Sequence, residues 1–470
     1  KGITLLSPVF DLDFGQEAMA TAMLGLGKIL GIPKPLCAKA LLSGAMAVRR
    51  HTAAVEKQGK ALLATLKPDD KVLVLITRNY GVSDPILNMG IPELLLERGY
   101  KVITLSHLPG HALDISGEYD NLYYPFGQHI LSGAKLIAHH PNLYAVYLTN
   151  HGCSPDTMLS HLFKQEMGDK PYLQIEVDEH FSNVGVITRI EAFLNSLQHR
   201  PAVALPKDFD IERVDIRPCH LARTPENALP LCLPALGEYT PYLAEYFRQQ
   251  GADVRVLPRL TDHALSLGRA ETSAKEYLPF PALLGSILAQ RENDRAPAQF
   301  LIPQTQGAEA DGQYARVIRA VLDRRGERKA KLVSPMLETL PVTAQDPDAL
   351  FRALLAGDIL YAAPAGKRAD IAAQWDALPD WTQLHTAAKK IGTLPAEGRR
   401  IAAVGTPLCL TELDSGVLAT LEAEGEQLLR APLSEALWFL WQDNMDENKP
   451  SAGWLGQMEQ QMRTLGAELG

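Results

Sequence analysis

The sequence predicts a multidomain α/β protein in which parallel sheets are covered by helices on both faces. Strand-like and helix-like segments alternate from residue 71 to residue 200, and the alternation starts again further along the chain. The predicted strands are continuous apolar runs, which is typical of strands buried on both faces of a parallel sheet. With 470 residues, 46% of them apolar, the chain can fill the cores of roughly three domains of ordinary size.

The N-terminal part is predicted to be helical. Residues 16–66 carry apolar residues at helical spacing, with many alanines and leucines and one break at Pro33 and Pro35. From residue 71 the pattern changes, and KVLVLI, KVITL, LYAVYLT and YLQIEV are predicted strands with helices between them and a last helix at TRIEAFLNSL. We therefore assign residues 1–66 to a helical segment and residues 67–200 to a first α/β domain.

A proline-rich stretch separates this domain from the rest of the chain. Residues 201–230 contain closely spaced prolines, which favours an extended linker over a packed element. LCLPAL, ADVRVLP, QFLIPQ and KLVSP predict the strands of a second α/β domain at residues 231–340. ILYAA, RIAAVGT and QLLRAPL predict the strands of a third α/β unit at residues 341–470, which ends in helices at EALWFLWQDNM and at the final segment.

Composition excludes several classes of partner. The net charge is -9 without long acidic or basic runs, so we expect no nucleic-acid groove and no anionic membrane surface as a partner. No apolar run reaches the ~18 residues of a membrane span, and the opening KGITLLSPVF lacks the basic segment and the apolar segment of a signal peptide. We expect a cytoplasmic protein with a small-molecule or protein partner.

The candidate site residues follow the predicted strands, because open parallel sheets bind ligands beyond the carboxyl ends of their strands. Polar groups follow the first, third and fourth strands. They are Arg78, Asn79, Asp84, Asn88, Cys153, Asp156, Asp178, His180, Arg189 and Glu191. No G-x-S-x-G, P-loop or G-x-G-x-x-G sequence is present, so acyl hydrolysis, nucleoside triphosphate cleavage and dinucleotide binding lack their usual signatures.

Cysteine usage argues against a conventional metal site. The five cysteines, at positions 37, 153, 219, 232 and 409, form neither C-x-x-C pairs nor the dense spacing of a secreted disulfide scaffold. Cys153 is predicted at the N-terminus of a helix, where the thiolate form is favoured. One cysteine alone cannot hold an iron-sulfur cluster, and Asp178 with His180 is only a weak metal pair. The alternative without a functional role is that the cysteines are buried thiols and that Asp178 and His180 belong to a polar cluster at a strand end.

One long stretch resembles a known family. Residues 150–197, from NHGCSPDTM through DEH to TRIEAFLNSL, resemble the large activator proteins of 2-hydroxyacyl-CoA dehydratases, which read N-F-G-C-G-P-D-S-F, K-P-x-L, D-E-H and T-R-x-E-A-F. RNYGVSDPILNMGIPELLLERGY, KEYLPF and GAEADGQYAR are similar to further segments of that family. We judge that the resemblance covers residue 1 to about residue 440.

The resemblance implies a fold, a role and partners. It implies flavodoxin-like (Rossmann-like) domains in the dehydratase-component-like region of an activator. It implies ATP-driven electron transfer at low potential through iron-sulfur clusters, as in the related benzoyl-CoA reductase. Upstream ATP-binding domains of the actin and sugar-kinase type, or a separate dehydratase component, would be partners, and this chain would be a carboxyl-terminal portion.

Departures from the family pattern bear on the cluster. Tyr277 stands where the family's K-E-C-x-P has cysteine, and Glu309 stands where G-P-C-R has cysteine. Thr406 and Leu410 replace the charged pair of the family's G-E-x-Y-x-R sequence. Tyrosine and glutamate are not usual substitutes for thiolate ligands of iron. We therefore expect the chain to keep the fold and to bind no cluster, or to bind one only with ligands from a partner or a second subunit.

Two further hypotheses belong to other classes of function. The chain is a non-catalytic scaffold or docking module for a dehydratase partner, or it is an iron-free protein that binds an acyl-CoA near Arg78, Asn79, Asp156 and Arg189. A cluster would give a brown protein, a CoA site would give a thermal shift with a CoA thioester, and a scaffold would give neither.

Overall fold

A computed structural model describes most of the chain. The described residues are 5–10, 15–150, 152–177, 183–201, 211, 214–218, 221–306, 310–394, 399–404, 417–444 and 451–469. The chain divides into two compact units, Lys1–His151 with Leu162–Pro218 and Gly152–His161 with Cys219–Gly470. The five-part division predicted from the sequence stays a prediction.

The first unit is built on a four-stranded parallel sheet. Its elements, with the helix that starts in the second unit, are α1 Gly15–Leu30, α2 Lys34–Leu63, β1 Val72–Ile76, α3 Asn79–Ser83, α4 Ile91–Glu97, β2 Lys101–Thr104, α5 Pro125–His139, β3 Leu143–Asn150, α6 Ser154–Met167, β4 Leu173–Val177 and α7 Asn183–Gln198. The strand order is β2-β1-β3-β4. In the register, Val74 lies opposite Ile103 on one side and Ala145 on the other.

Helices cover both faces of this sheet. All five residues of β1 are buried, as continuous apolar sequence predicts for a central parallel strand. Leu73 and Leu75 pack with α4 and α7 in one core cluster, and α5 buries an apolar face that includes Ile130 and Leu131. The predicted N-terminal helices are present as α1 and α2.

The second unit repeats the same strand order. Its elements are β5 Leu231–Leu233, α8 Thr240–Gln249, β6 Val254–Val256, α9 Asp262–Ala270, α10 Pro279–Asn293, β7 Ala298–Leu301, α11 Tyr314–Arg324, β8 Ala330–Val333, α12 Leu340–Thr343, α13 Pro347–Ala362, α14 Ala365–Ala372, α15 Trp381–Gly392, β9 Arg400–Ala403, α16 Val417–Ala423, β10 Gln427–Arg430, α17 Leu433–Asn444 and α18 Ser451–Leu469. The order β6-β5-β7-β8 is again all parallel, and β9 pairs in parallel with β10. The predicted α/β fold with flavodoxin-like parallel sheets is confirmed.

One predicted strand is wrong. ILYAA, at residues 359–363, belongs almost wholly to helix α13, where Asp346 caps the N-terminus through Ala349 N–H and a proline follows at the first position. A short apolar run does not distinguish a buried strand from the end of a buried helix. Here the helix begins upstream at Pro347 and has sixteen residues in all, and its buried residues include Phe351, Leu354 and Ile359.

The helices of the described residues contain no candidate membrane span.

Candidate functional site

The first sheet has the edge at which ligands bind in open α/β folds. In the strand order β2-β1-β3-β4, the chain passes from β1 to β2 on one side and from β3 to β4 on the other side. The loops that follow β1 and β3 therefore diverge, which leaves a crevice between them. Arg78 and Asn79 follow β1, and Asn150 ends β3. The two strands are neighbours and run parallel, so these residues share the carboxyl edge. The edge contains the candidates predicted after the first strand.

Side-chain contacts hold Arg78 and Tyr80 at this edge. The Arg78 guanidinium carbon lies 4.5 Å from the centroid of the Phe126 ring, which is a cation-π distance. Asn150 Nδ2 donates to the Tyr80 hydroxyl at 3.2 Å, so the loop after β1 touches the end of β3. The Tyr80 side chain is half exposed and Asn79 is exposed. The edge therefore offers a cation, an amide and an aromatic surface.

Asp84 and Asn88 shape the loop that follows α3. Asp84 Oδ1 accepts from the N–H groups of Ile86 and Leu87 at 2.8 and 3.1 Å. The buried Asn88 donates to the Val82 carbonyl at 3.3 Å and accepts from Gly90 N–H at 3.0 Å. Gly90 has a φ of 62°, a conformation that favours glycine. Both candidate side chains therefore use these atoms to hold the backbone of the loop.

Cys153 stands at the start of α6. Its carbonyl accepts from the N–H and the hydroxyl of Thr157 at 3.0 and 2.9 Å, and Gly152 before it has a φ of 66°. The cysteine is partly exposed, whereas Asp156 in the first helical turn is buried. The structure therefore places Cys153 at the N-terminus of a helix of fourteen residues, as the sequence predicts.

Arg189 and Glu191 lie on α7, the helix that follows the fourth strand, and both help to pack it. Arg189 Nη2 donates to the Gln174 carbonyl of β4 at 2.7 Å. Arg98 Nη2 lies 2.7 Å from Glu191 Oε1 in an ion pair, and both side chains are partly exposed. These contacts hold α7 against β4 and α4. Asp178 and His180 lie outside the described residues.

The described residues do not fit an iron-sulfur cluster. Among them, no three His, Cys, Asp or Glu side chains are grouped so as to hold a metal ion. Cys37 and Cys232 are buried and form no disulfide, and burial raises the pKa of the Cys232 thiol. Tyr277 is half exposed. Glu309, Cys219, Cys409, Thr406 and Leu410 lie outside the described residues. A cluster needs about four soft ligands, and Cys153 supplies one.

A buried ionic network was not predicted from the sequence. Lys135 Nζ lies 2.7 Å from Glu118 and 2.8 Å from Glu166, and all three side chains are at most 4% exposed. Arg217 pairs with both carboxylates at 3.0 and 2.6 Å, and the Tyr119 hydroxyl contacts Glu166. Burial and the neighbouring carboxylates raise the pKa of Tyr119. The one signal in the sequence is Lys135 itself, a lysine inside the apolar run of α5.

Two acidic residues follow the strands of the second sheet. Asp311 Oδ1 accepts from the Thr305 hydroxyl at 2.6 Å, and Glu338 Oε1 accepts from Gln306 N–H at 2.7 Å. Burial raises the pKa of both carboxyl groups, and the charge of Asp311 adds to the shift of Glu338. These residues come after β7 and β8, so the second sheet also carries polar groups at its carboxyl edge. Sequence patterns did not select them.

Comparison with known proteins gives one family match. Residues 1–108 match the model of the family described as CoA enzyme activase uncharacterised domain (DUF2229). The matched stretch contains α1, α2, β1, β2 and the loop that carries Arg78 and Asn79. No curated protein and no solved structure matches the chain. The match supports a relation to CoA-enzyme activators.

Proposed function

We propose that this chain is the dehydratase-component-like region of a CoA-enzyme activator, that it works without an iron-sulfur cluster, and that it binds an acyl-CoA at the carboxyl edge of its first sheet. The observation that carries the proposal is the joined edge of β1 and β3, where Arg78, Tyr80 and Asn150 lie together within the order β2-β1-β3-β4. The match of residues 1–108 to a CoA enzyme activase domain supports the choice of ligand.

The chemistry of the edge suits a CoA thioester. An arginine pairs with phosphate or carboxylate groups, and an exposed tyrosine ring offers a surface to an adenine or an acyl chain. Asn79 and Asn150 supply amide groups for the polar pantetheine arm. In this role the side chains bind and orient the ligand, and no electron passes through the chain.

A thermal-shift experiment tests the ligand. Acetyl-CoA at 100 times its Kd should add about 2.7 kcal/mol to the free energy of unfolding. Arg78→Ala should abolish the shift. Arg98→Ala is the matched control, because Arg98 lies in the same unit and forms a partly exposed ion pair with Glu191. The acyl-CoA proposal would be contradicted if acetyl-CoA still raised the unfolding temperature of Arg78→Ala, or if it did not raise that of the native chain.

Iron analysis tests the absence of a cluster. After anaerobic expression and reconstitution, the native chain and Cys153→Ser should both be colourless and contain no stoichiometric iron or sulfide. Roughly four irons per native chain, lost in Cys153→Ser, would show instead that Cys153 is a cluster ligand. That result would return the chain to the electron-transfer role that its family resemblance implies.

A docking role is the second candidate, and a specific feature favours it. Helix α2 lies within the matched residues 1–108, and its middle part is exposed to solvent although it carries leucine, methionine and valine. Exposed apolar helices are typical of protein interaction sites. A module that docks on a CoA-dependent enzyme needs such a surface, whether or not it binds the thioester.

A further inference from the structure

Helices α1 and α2 form a hairpin that is fixed at its turn. Gly31 has a φ of 69°, and Pro35 is the second residue of α2. Gly27 of α1 packs directly on Cys37 of α2, and a Cβ at Gly27 would collide with the Cys37 sulfur. Cys37 is therefore buried by the helix crossing. Its role is packing at the crossing, which positions the start of α2.

The far end of α2 is fixed as well. Gly59 packs so closely on the backbone of His107 that a Cβ there would collide with the His107 carbonyl oxygen. Between Cys37 and Gly59 the helix has little cover. Every residue of 38–51 except the half-buried Leu41 is exposed. Isolated helices of this length are marginal in water, so the two anchored ends hold a segment that lacks tertiary packing of its own.

One face of the exposed segment combines apolar and basic side chains. Leu42 and Met46 are 64% and 59% exposed. They lie one turn apart, and Lys39, Arg49 and Arg50 fall on the same face at helical spacing. Val48 is 66% exposed and points to the opposite side of the helix. A basic helix with apolar anchors one turn apart is the pattern of a helix that binds in a groove.

The charge of the hairpin is opposite to that of the whole chain. Between residues 15 and 55 the cationic residues are Lys28, Lys34, Lys39, Arg49 and Arg50, and the only carboxylate is Glu17, whereas the chain as a whole has a net charge of -9. A two-fold contact between two copies of this face would place like charges against each other. Charge complementarity therefore favours an acidic partner over a second copy.

We infer that residues 39–50 of α2 dock into an apolar groove with an acidic rim on a partner protein. Leu42 and Met46 fill the groove, and Lys39, Arg49 and Arg50 pair with carboxylates of the rim. Twelve helical residues span about 18 Å, which is the length of groove required. This inference deepens the docking role and rests on it. It is independent of acyl-CoA binding, so a failed thermal shift and a failed docking test are separate results.

Photo-crosslinking identifies the partner. p-Benzoylphenylalanine is placed at position 42 of the full chain, and at position 48 as the matched control, and each protein is irradiated in an extract of the source cells. Mass spectrometry then sequences the crosslinked peptide. We expect a crosslink from position 42 alone, to an Asp- and Glu-rich peptide of another protein. Equal crosslinking from both positions, a crosslink to a second copy, or no crosslink would overturn the inference.

Affinity measurements with the identified protein complete the test. Met46→Asp should weaken its binding by at least about 10-fold, the loss expected for a buried anchor residue. Val48→Asp makes the same change of charge on the opposite side of α2 and should change Kd less than about 2-fold, since it leaves the anchors in place. Arg49→Glu should weaken binding and flatten its dependence on salt.

Two further results would contradict the groove model. Binding that is unchanged by Met46→Asp would place the contact on another surface. Flotation of the native chain with phosphatidylglycerol vesicles, lost in Met46→Asp, would show that the face binds an anionic lipid surface. Circular dichroism of each variant at matched concentration confirms that α2 keeps its helix, so that a loss of binding reports the lost side chain.

Discussion

His161 Nε2 lies 2.5 Å from Glu276 Oε1, and this pair joins helix α6 to the loop before α10. The Glu276 side chain is 1% exposed and that of His161 is 12% exposed. Glu276 also accepts from the N–H and hydroxyl of Ser273 and from Lys275 N–H. The pair therefore connects the helix that Cys153 opens with the segment in which Tyr277 replaces a family cysteine.

Removing the histidine should destabilise the second unit. His161→Leu removes the hydrogen-bond partner of a buried carboxylate, and we expect a loss of about 1–3 kcal/mol in the free energy of unfolding. His263→Leu is the matched control, because His263 makes the same type of contact with Glu292 at 2.8 Å on the surface. That change should cost less than about 1 kcal/mol. Urea unfolding followed by tryptophan fluorescence measures both, and equal losses would contradict the prediction.

The acid side of the stability profile should report Glu276. Burial alone would raise the pKa of Glu276, but the hydrogen bonds from His161 and from the loop backbone outweigh it and lower the pKa to about 2. A lowered carboxyl pKa contributes stability above the unfolded value of 4.5, and this contribution is lost as the pH falls toward 2. The difference in unfolding free energy between the native chain and Glu276→Gln should therefore shrink below pH 4.5. A difference that stays constant down to pH 3 would rule out this carboxylate as the source.

The sequence predicts the sheets better than it predicts contacts between distant segments. β1 and β3 are continuous apolar runs with turn residues after them, so local pattern alone places them and their carboxyl edge. ILYAA fails because five apolar residues fit a strand and a helix end equally well. His161 and Glu276 are 115 residues apart, and no local spacing relates them. Only the tertiary fold brings such residues together.

Loss of Lys135 should destabilise the first unit strongly. Lys135→Met leaves Glu118 and Glu166 buried with Arg217 as their remaining cation, and a broken buried ion pair costs about 3–5 kcal/mol. Lys101→Met is the control, because Lys101 pairs with Asp70 at 2.5 Å where both side chains are partly in solvent. We expect it to cost less than about 1 kcal/mol. Urea unfolding monitored by far-ultraviolet circular dichroism checks both values.

A second variant separates charge from packing in this network. If uncompensated charge causes the loss, Lys135→Met combined with Glu118→Gln should cost less than the sum of the two single changes. If the two losses simply add, the lysine contributes mainly through the packing of its side chain, and the network is not the source of the stability.

Close packing of α9 on α10 should make two glycines sensitive to a single methyl group. A Cβ at Gly268 would collide with the Pro281 carbonyl oxygen, and a Cβ at Gly285 would collide with that of Ala264. Gly268→Ala must therefore move backbone, and we expect a loss of about 1–3 kcal/mol or more. Thermal unfolding or urea unfolding of the variant measures the loss.

The matched control is an alanine substitution at an exposed helical glycine, which should change the free energy of unfolding in the opposite direction. Gly466 lies in α18 with open space where its Cβ would be, so Gly466→Ala should raise the free energy of unfolding by about 0.5–1 kcal/mol through the better helix propensity of alanine. The two substitutions add the same atoms to a helix, so the difference in sign isolates the contact between α9 and α10. If Gly268→Ala is also neutral or stabilising, the two helices are not packed at van der Waals distance, and the crossing must be wider than the structure places it.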